Sequence, residues 1–166
     1  MIRIIHAADL HLDSPFESLD AEKASVRRSE QRALLERIAA EVNQRNADLL
    51  FLAGDLLDSG SAYAETGEAL LAALGKVCVP VFIAPGNHDW YSRRSPYALL
   101  PFPDNVHIFR TPLLESVFLP ELGARVWGAG YTSPSCEALL RGFHAPAEGG
   151  QLAVLHGAAP ARRTAR

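Results

Sequence analysis

The sequence predicts an α/β fold, and two observations predict it. In the first half of the 166 residues, buried-strand patterns alternate with amphipathic-helix patterns in the order β-α-β-α-β. This order favours a parallel sheet with right-handed crossover connections. In the second half the pattern changes to short strand candidates, so the chain turns toward antiparallel β-structure.

The first half contains three strand candidates and two helix candidates. Apolar residues at helical spacing predict one helix over roughly residues 26–45 and a second helix that ends before Gly75. Continuous apolar runs of strand length predict three buried strands. These strands cover residues 2–8, 48–53 and 77–84.

The second half contains four short strand candidates and one short helix candidate. The strands cover residues 106–109, 116–119, 124–127 and 151–155, and the helix covers residues 135–143. Residues 120–123 are typical of a hairpin connection between the second and third of these strands. Residues 158–166 show neither pattern, so we expect a disordered tail after a single domain over residues 1–157.

The composition is that of a globular protein without a membrane segment. Apolar residues make up 48% of the chain and charged residues 21%, and no apolar run approaches the roughly 20 residues that span a bilayer. Acidic Asp9 comes too early for a signal peptide. We therefore expect a cytoplasmic protein in which Cys78 and Cys136 are buried, reduced thiols. The net charge of -3 argues against a broad basic surface for nucleic acid, although bound divalent cations would supply positive charge where a phosphate binds.

Polar side chains follow all three strands of the predicted parallel sheet. The first strand is followed by Asp9-Leu10-His11, the second by Gly54-Asp55 and the third by Gly86-Asn87-His88-Asp89. Since the carboxyl ends of parallel strands meet at one edge, where such sheets bind ligands, we expect these residues to lie together. One such motif is a weak signal, but three of them after buried strands are a strong joint signal.

The residue types in these motifs predict a site for two divalent metal ions. Carboxylate and amide oxygens with imidazole nitrogens suit manganese or iron, and suit zinc less well. Asp55 is the natural bridging ligand because it follows the central strand of the three. Two ions can polarise a phosphate and activate a water molecule. Gly54 and Gly86 would permit sharp turns and a close approach of the backbone to metal or phosphate.

These motifs resemble those of the calcineurin-like metallophosphoesterase superfamily, over essentially residues 1–157. The superfamily pattern is D-x-H, then G-D-x-x-D, then G-N-H-D, then a histidine after a later strand. Residues 6–13 and 155–157 are further similar to the bacterial SbcD-type DNA-repair exonuclease branch. The resemblance implies a two-sheet β-sandwich flanked by helices. The four motifs stand here as Asp9-Leu10-His11, Gly54-Asp55-Leu56-Leu57-Asp58, Gly86-Asn87-His88-Asp89 and His156-Gly157.

The resemblance also implies a ligand set for two divalent ions, most favourably Mn²⁺, with iron or zinc as alternatives. Asp9 and His11 would bind the first ion. Asp55 would bridge both ions. Asn87 and His156 would bind the second ion.

Two further residues would act in catalysis without binding metal. His88 would stabilise the transition state or protonate the leaving oxygen, and Asp89 would orient His88. The implied reaction is hydrolysis of DNA phosphodiester bonds by an activated water. The implied partner of the family is an SbcC/Rad50-type ATPase.

One motif of the family is missing from these 166 residues. The family has a Gly-His-x-His motif after the His156 strand, which supplies a histidine to each ion, and this sequence contains none. The family's DNA-gripping domain and its ATPase-docking segment are missing as well. We therefore expect a C-terminally incomplete fold in which each ion lacks one nitrogen ligand.

Two other functions stay open at this point. The same chemistry could act on a small phosphoester, and the missing motif could leave a non-catalytic remnant. A protein serine/threonine phosphatase is disfavoured, because Ser59 and Asp89 stand where that group has arginine and glutamate.

Several residues near the motifs have more ordinary interpretations. Asp58 could bind metal but is better explained as a supporting or helix-capping acid, and Asp13 as a structural acid. His6 is better explained as a core histidine, since it lies within the first strand. Trp90 and Tyr91 could stack on a nucleobase, but packing against their own loop is the commoner outcome.

Overall fold

The structure is a computed structural model of the 166-residue chain, and it describes residues 1–136, 139–140 and 142–157. Two sheets with flanking helices confirm the predicted α/β class. The expected disordered tail, residues 158–166, lies outside the described residues. No helix within the described ranges is both long and apolar enough to cross a membrane. In chain order the elements are β1 (Ile4–Ala7), α1 (Ala21–Gln44), β2 (Leu49–Leu52), α2 (Ala64–Leu74), β3 (Val81–Ile83), α3 (Pro96–Leu99), β4 (Val106–Ile108), β5 (Glu115–Leu119), a 3₁₀ turn (Pro120–Leu122), β6 (Ala124–Gly128) and β7 (Gly150–Val154).

The first sheet has the strand order β1-β2-β3-β4, and all of its strands are parallel. The predicted parallel arrangement of the first three strands is therefore confirmed. β4 extends this sheet, with Val81 paired to Val106, whereas the sequence pattern placed it in the antiparallel part of the chain. The segment between β3 and β4 is long enough for a crossover to a parallel neighbour. The Asn105 side chain holds this edge by donating to the carbonyl oxygens of Val77 and Val79, both at 2.8 Å.

The second sheet has the strand order β5-β6-β7. β5 and β6 form the predicted antiparallel hairpin, which is closed by the 3₁₀ turn and by Gly123, with a φ of 57°. β7 is parallel to β6, with Gly128 paired to Val154. The expected turn toward antiparallel structure is therefore right for β5 and β6 and wrong for β7.

Two further expectations are corrected by the structure. The predicted helix over residues 135–143 is not found in the described part of that stretch, which forms turns and irregular loop. Gly142 there has a φ of 71°, in the left-handed region that a right-handed helix excludes. Cys78 is exposed rather than buried, because β3 begins only at Val81 and Cys78 lies in the loop before it.

The core consists of two layers of apolar side chains, one on each face of the first sheet. Helices α1 and α2 cover one face, and the second sheet covers the other. In β2, Leu50 and Leu52 pack with the helices, whereas Leu49 and Phe51 pack with residues such as Val126 of the second sheet. A strand covered on both faces is apolar throughout, which explains its continuous hydrophobic run. The polar motifs therefore gather at the ends of the strands.

Candidate metal centre

The three polar motifs lie side by side at the carboxyl ends of β1, β2 and β3. The pairing of β1 with β2 continues past the strands, since the N–H of Asp9 donates to the carbonyl of Gly54 at 3.0 Å. The N–H of His11 donates in turn to the carbonyl of Asp55 at 2.9 Å. From the loop after β3, the N–H of His88 donates to the Asp55 carboxylate at 2.9 Å. The fold therefore brings all three motifs to one edge of the sheet.

Three residues of these motifs have an unusual backbone conformation. The φ angles of Asp9, His11 and Asp55 are 54°, 44° and 50°. Residues other than glycine seldom adopt this left-handed region, at a cost of about 1–3 kcal/mol each. The backbone hydrogen bonds between the two loops hold the residues in this conformation. Strain of this kind is concentrated at functional sites, where the surrounding structure keeps side chains in positions that regular structure would not give them.

Two groups of ligand atoms meet at Asp55. The first group consists of His11, Asp55 and His88, and the second of Asp9, Asp55 and His156. Within each group the ligand atoms lie within 4.8 Å of one another. Asp55 is only 4% exposed, and its Oδ2 lies 3.9 Å from His11 Nε2 and 3.3 Å from His156 Nε2. One carboxylate thus belongs to both groups, as a bridging ligand must.

The composition of the groups differs from the pairs that the resemblance implies. Asp9 and His11 fall in different groups, although both lie beside Asp55. Asn87 joins the group of Asp9, since its Oδ1 lies 3.0 Å from His156 Nε2. His88, which was expected to act without binding metal, is itself a member of the first group. The assignment of each residue to a particular ion stays a prediction.

The ring of His156 is oriented with one nitrogen toward the site. Its Nδ1 lies 3.0 Å from the carbonyl oxygen of Ala53, which can only accept, so Nδ1 carries the hydrogen. In the neutral ring Nε2 then points a lone pair at Asp55 Oδ2, at 3.3 Å, and at Asn87 Oδ1, at 3.0 Å. Facing lone pairs repel, and a cation between them removes the repulsion. This set of carboxylates, amide and imidazoles fits a divalent ion such as manganese or iron.

Asp58 supports His11 from behind. Its Oδ1 lies 3.0 Å from His11 Nδ1, while the opposite ring nitrogen faces Asp55. A carboxylate in this position selects the tautomer of a ligating imidazole and raises the basicity of its metal-facing nitrogen. The backbone oxygen of Asp58 lies 3.3 Å from Nδ1 of the exposed His88. These contacts agree with the interpretation of Asp58 as a supporting acid.

Asp89 does not contact the His88 ring, so the expectation that it orients His88 is corrected. Its carboxylate is turned inward, with 1% of the residue exposed, because buried N–H groups of two loops need an acceptor there. Burial and the Asp89 carboxylate raise the pKa of Tyr97 well above its ordinary value, so the Tyr97 hydroxyl remains a donor. The Asp89 carboxylate accepts from the Tyr97 hydroxyl and from the N–H groups of Asp55, Leu56, Leu57 and Gly86, the last four at 3.2, 2.8, 3.2 and 2.7 Å.

Two glycines let the loops of the site approach one another closely. Gly54 has a φ of 79°, and a Cβ there would overlap the ring of His156. A Cβ at Gly86 would overlap the carboxylate and the backbone nitrogen of Asp55. Any side chain at either position would displace a candidate ligand, which is a steric reason for glycine at both.

Four of the five candidate ligands line an open cleft of about 630 Å³, namely Asp9, Asp55, Asn87 and His156. Its walls also include His6 and Tyr131. His6 is exposed, so its interpretation as a core histidine is wrong. The physical reason is that β1 is an edge strand of the first sheet, so its residues are covered less than those of β2.

Tyr131 is a residue of the cleft that the sequence motifs did not disclose. It comes three residues after β6, and His156 comes two residues after β7. The parallel pairing of these strands, Gly128 with Val154, puts both strand ends at the same edge. The rings of Tyr131 and His156 meet edge to face, with 5.7 Å between their centres. The sequence did show a polar residue shortly after a strand. That position places Tyr131 in the cleft only if β6 and β7 are parallel, which the sequence does not reveal.

The remaining candidates lie outside the two ligand groups. Tyr91 is half-buried, and the guanidinium carbon of Arg110 lies 5.7 Å from its ring centre. Asp13 accepts from the Tyr63 N–H at 2.9 Å and from the Thr66 hydroxyl at 2.5 Å, which ties the loop after β1 to the start of α2. These contacts are structural, as expected for Asp13.

Comparison with known proteins identifies the family of the chain. A family model described as calcineurin-like phosphoesterase matches residues 2–148. The chain is 30% identical over 132 residues to the uncharacterized metallophosphoesterase YhaO of Bacillus subtilis (strain 168), an alignment that covers 75% of this chain and 32% of that protein. It is 30% identical over 122 residues to the D subunit of the nuclease SbcCD of the same organism, with coverage of 71% and 30%. The alignments thus span about a third of each relative. Because the family match runs through most of the fold described above, the chain belongs to the calcineurin-like phosphoesterase family.

Proposed function

We propose that this chain is the metal-binding part of a DNA phosphodiesterase of the exonuclease type. The observation that carries the proposal is the membership of Asp55 in two groups of ligand atoms. A pair of ions held by one shared carboxylate is suited to displacement at phosphorus, where charge develops on both the attacking and the leaving oxygen. The similarity to a protein named as a subunit of the nuclease SbcCD supports DNA as the substrate.

The residues of the chain would hold the ions and position them. Asp9, His11, Asp55, Asn87 and His156 are the proposed ligands, within the two groups described above. Two bound ions, most favourably Mn²⁺ with iron or zinc as alternatives, would polarise the phosphate and lower the pKa of a bound water. Hydrogen bonds hold the two ligating imidazoles, since one ring nitrogen of each is already engaged by the protein.

His88 is the proposed proton donor to the leaving oxygen. It is exposed beside the ligands, and its backbone N–H is anchored on the Asp55 carboxylate at 2.9 Å. Its Nδ1 lies 3.3 Å from the carbonyl oxygen of Asp58 and can hold a hydrogen there. A protonated ring would then donate from Nε2 to an oxygen of the substrate. Asp89 would act on the same site by positioning Asp55 rather than His88.

The assignment to DNA rests on the relative and not on surface charge. The net charge of the chain is -3, so the positive charge that attracts a phosphate would come from the ions. An SbcC/Rad50-type ATPase is the proposed partner of the whole protein, since the relative is named as one subunit of SbcCD.

A small phosphoester is the second candidate substrate. The cleft of about 630 Å³ has the size of a small-molecule site, and the chain carries no net positive charge to hold a long polyanion. Turnover of cyclic nucleotides compared with degradation of linear DNA distinguishes the two candidates.

The experiment that tests the proposed function measures metal content and hydrolysis together. We expect wild-type protein to bind two Mn²⁺ ions and to hydrolyse bis(p-nitrophenyl) phosphate, and Asp55→Asn to lose both ions and the activity. The matched control is Asp104→Asn, which changes an exposed aspartate just before β4, at the opposite edge of the parallel sheet from the motifs. If wild-type protein binds no metal and hydrolyses nothing, and Asp55→Asn behaves the same, the chain is a non-catalytic remnant.

A further inference from the structure

Tyr131 lies in the cleft that candidate ligands line, but it belongs to neither group of ligand atoms. It shares the walls of the cleft with Asp9, Asp55, Asn87 and His156. Its side chain is half-buried, and its ring meets the ring of His156 edge to face at 5.7 Å. A ligand bound in the cleft would therefore have this phenol in the wall beside it.

The backbone of Tyr131 is held by the loop that carries the third motif. Its N–H donates to the carbonyl oxygen of Pro85 at 3.0 Å, and its carbonyl oxygen accepts from the N–H of Tyr91 at 2.8 Å. Pro85 immediately precedes Gly86 and Asn87, so Tyr131 is fixed relative to a candidate ligand. A side chain fixed in this way is pre-organised to contact a substrate.

The hydroxyl of Tyr131 is available as a donor. Among the described residues it has no hydrogen-bond partner, and it lies 3.6 Å from the point where a Cβ on Gly157 would stand, at the wall of the cleft. A tyrosine phenol has an ordinary pKa of about 10, so it keeps its proton at neutral pH. Half-buried tyrosine hydroxyls usually find a partner, and here a ligand in the cleft would provide it.

We propose that Tyr131 contacts the substrate by donating a hydrogen bond to a phosphoryl oxygen of a phosphate ester in the cleft. This inference rests on the proposed function and adds to it a residue outside the family motifs described above. A fixed donor of this kind stabilises negative charge that develops on phosphoryl oxygens in the transition state. It would serve DNA and small phosphoesters alike, since both present the same oxygens.

The test compares Tyr131→Phe with wild-type protein, both loaded with Mn²⁺. Phenylalanine keeps the ring against His156 and removes only the hydroxyl. We expect kcat/KM for bis(p-nitrophenyl) phosphate to fall roughly 10- to 100-fold, the effect of losing a hydrogen bond to a charged group. We expect the Kd of inorganic phosphate, measured by calorimetry, to rise, and the Mn²⁺ content to stay unchanged. The control is Tyr91→Phe, which removes a hydroxyl from a half-buried ring packed with Arg110. In this variant neither kcat/KM nor the Kd of phosphate should change.

The outcomes separate this inference from the proposed function. Equal kcat/KM and equal phosphate affinity in wild type and Tyr131→Phe would overturn the role of Tyr131 and leave the function intact. Weaker phosphate binding by Tyr131→Phe, with no hydrolysis by wild type, would support the role of Tyr131 and overturn the function. Loss of Mn²⁺ in Tyr131→Phe would show that the residue acts on His156 instead, which overturns the inference. A wild-type protein that neither binds phosphate nor hydrolyses the ester would overturn both.

Discussion

The Asp89 carboxylate accepts a hydrogen bond from the backbone N–H of Asp55 at 3.2 Å, across 34 positions of sequence. The same carboxylate accepts from Leu56 and Leu57 in that loop and from Gly86 in its own loop. Two loops that carry candidate ligands are therefore joined at one buried side chain. The position of Asp55 between the two groups of ligand atoms depends on this junction.

Asp89→Asn is expected to destabilise the fold and to weaken metal binding. An asparagine would place an NH₂ group against N–H and O–H donors, so at least one buried donor would lose its acceptor, at a cost of about 3 kcal/mol. Urea unfolding and Mn²⁺ titration measure the two effects. Tyr97→Phe is the control, since it removes one of the five donors and should cost about 1 kcal/mol. Wild-type stability in Asp89→Asn would contradict the claim that this carboxylate joins the two loops.

Asp58→Asn is expected to lower Mn²⁺ affinity without unfolding the protein. The change removes the charge behind the His11 ring, and such supporting carboxylates contribute about 10- to 100-fold to metal affinity. Calorimetric titration with Mn²⁺ measures the change, and urea unfolding checks the stability. The exposed Asp104 provides the control, Asp104→Asn, in which both values should equal those of wild type. Unchanged Mn²⁺ affinity in Asp58→Asn would mean that the contact with His11 does not matter for the ion.

Gly54→Ala is expected to abolish metal binding, for two reasons that controls can separate. Its Cβ would overlap the His156 ring, and its φ of 79° is strained for alanine. Gly123→Ala has the strain, with a φ of 57°, but meets nothing within 4 Å, and Gly60→Ala has neither problem. We expect all three to fold, with Gly123→Ala less stable by about 1 kcal/mol, and only Gly54→Ala to lose Mn²⁺. Normal Mn²⁺ content in Gly54→Ala would show that His156 is not needed at its observed position.

The stability of the metal-free protein is expected to fall with acidification, in part through His107. Burial lowers the pKa of this ring below its ordinary value of 6.5, and Arg110 lowers it too, while Glu115 opposes them. Within the described part of the chain its buried Nε2 has no hydrogen-bond partner. As the pH falls, the ring takes up a proton in the unfolded chain before it does so in the folded protein. The contribution of His107 to the free energy of unfolding is therefore complete above about pH 6.5 and is lost as the pH falls toward its lowered pKa in the folded protein.

His107→Phe tests this pH dependence. The variant removes the titrating ring and keeps an aromatic side chain beside Phe82 and Phe109. Urea midpoints measured with a chelator between about pH 7.5 and 5.5 should fall less steeply in the variant than in wild type. Identical slopes would show that His107 titrates as it does in the unfolded chain.

Local patterns in the sequence were enough to locate the strands and the ligand motifs. Apolar runs mark β1, β2 and β3, and Asp9, Asp55 and Asn87 follow them closely. Because parallel strands end at a common edge, the meeting of these residues could be expected from the sequence alone. The same patterns placed α1 approximately, although it begins at Ala21 with Asp20 as its N-cap, ahead of the apolar repeat. Its first turns are mostly exposed, with Ala24 as the buried exception, so they carry little apolar signal.

The sequence by itself thus determined the α/β class, the three motifs and the kind of ligand they contain. Only the tertiary structure decided what Asp89 and Tyr131 contact. Asp89 turns inward because the N–H groups that need it belong to a loop far away in sequence. Tyr131 reaches the cleft because β7 lies parallel to β6, which depends on how the second sheet packs. Contacts of this kind join distant parts of the chain, and no local pattern of residues records them.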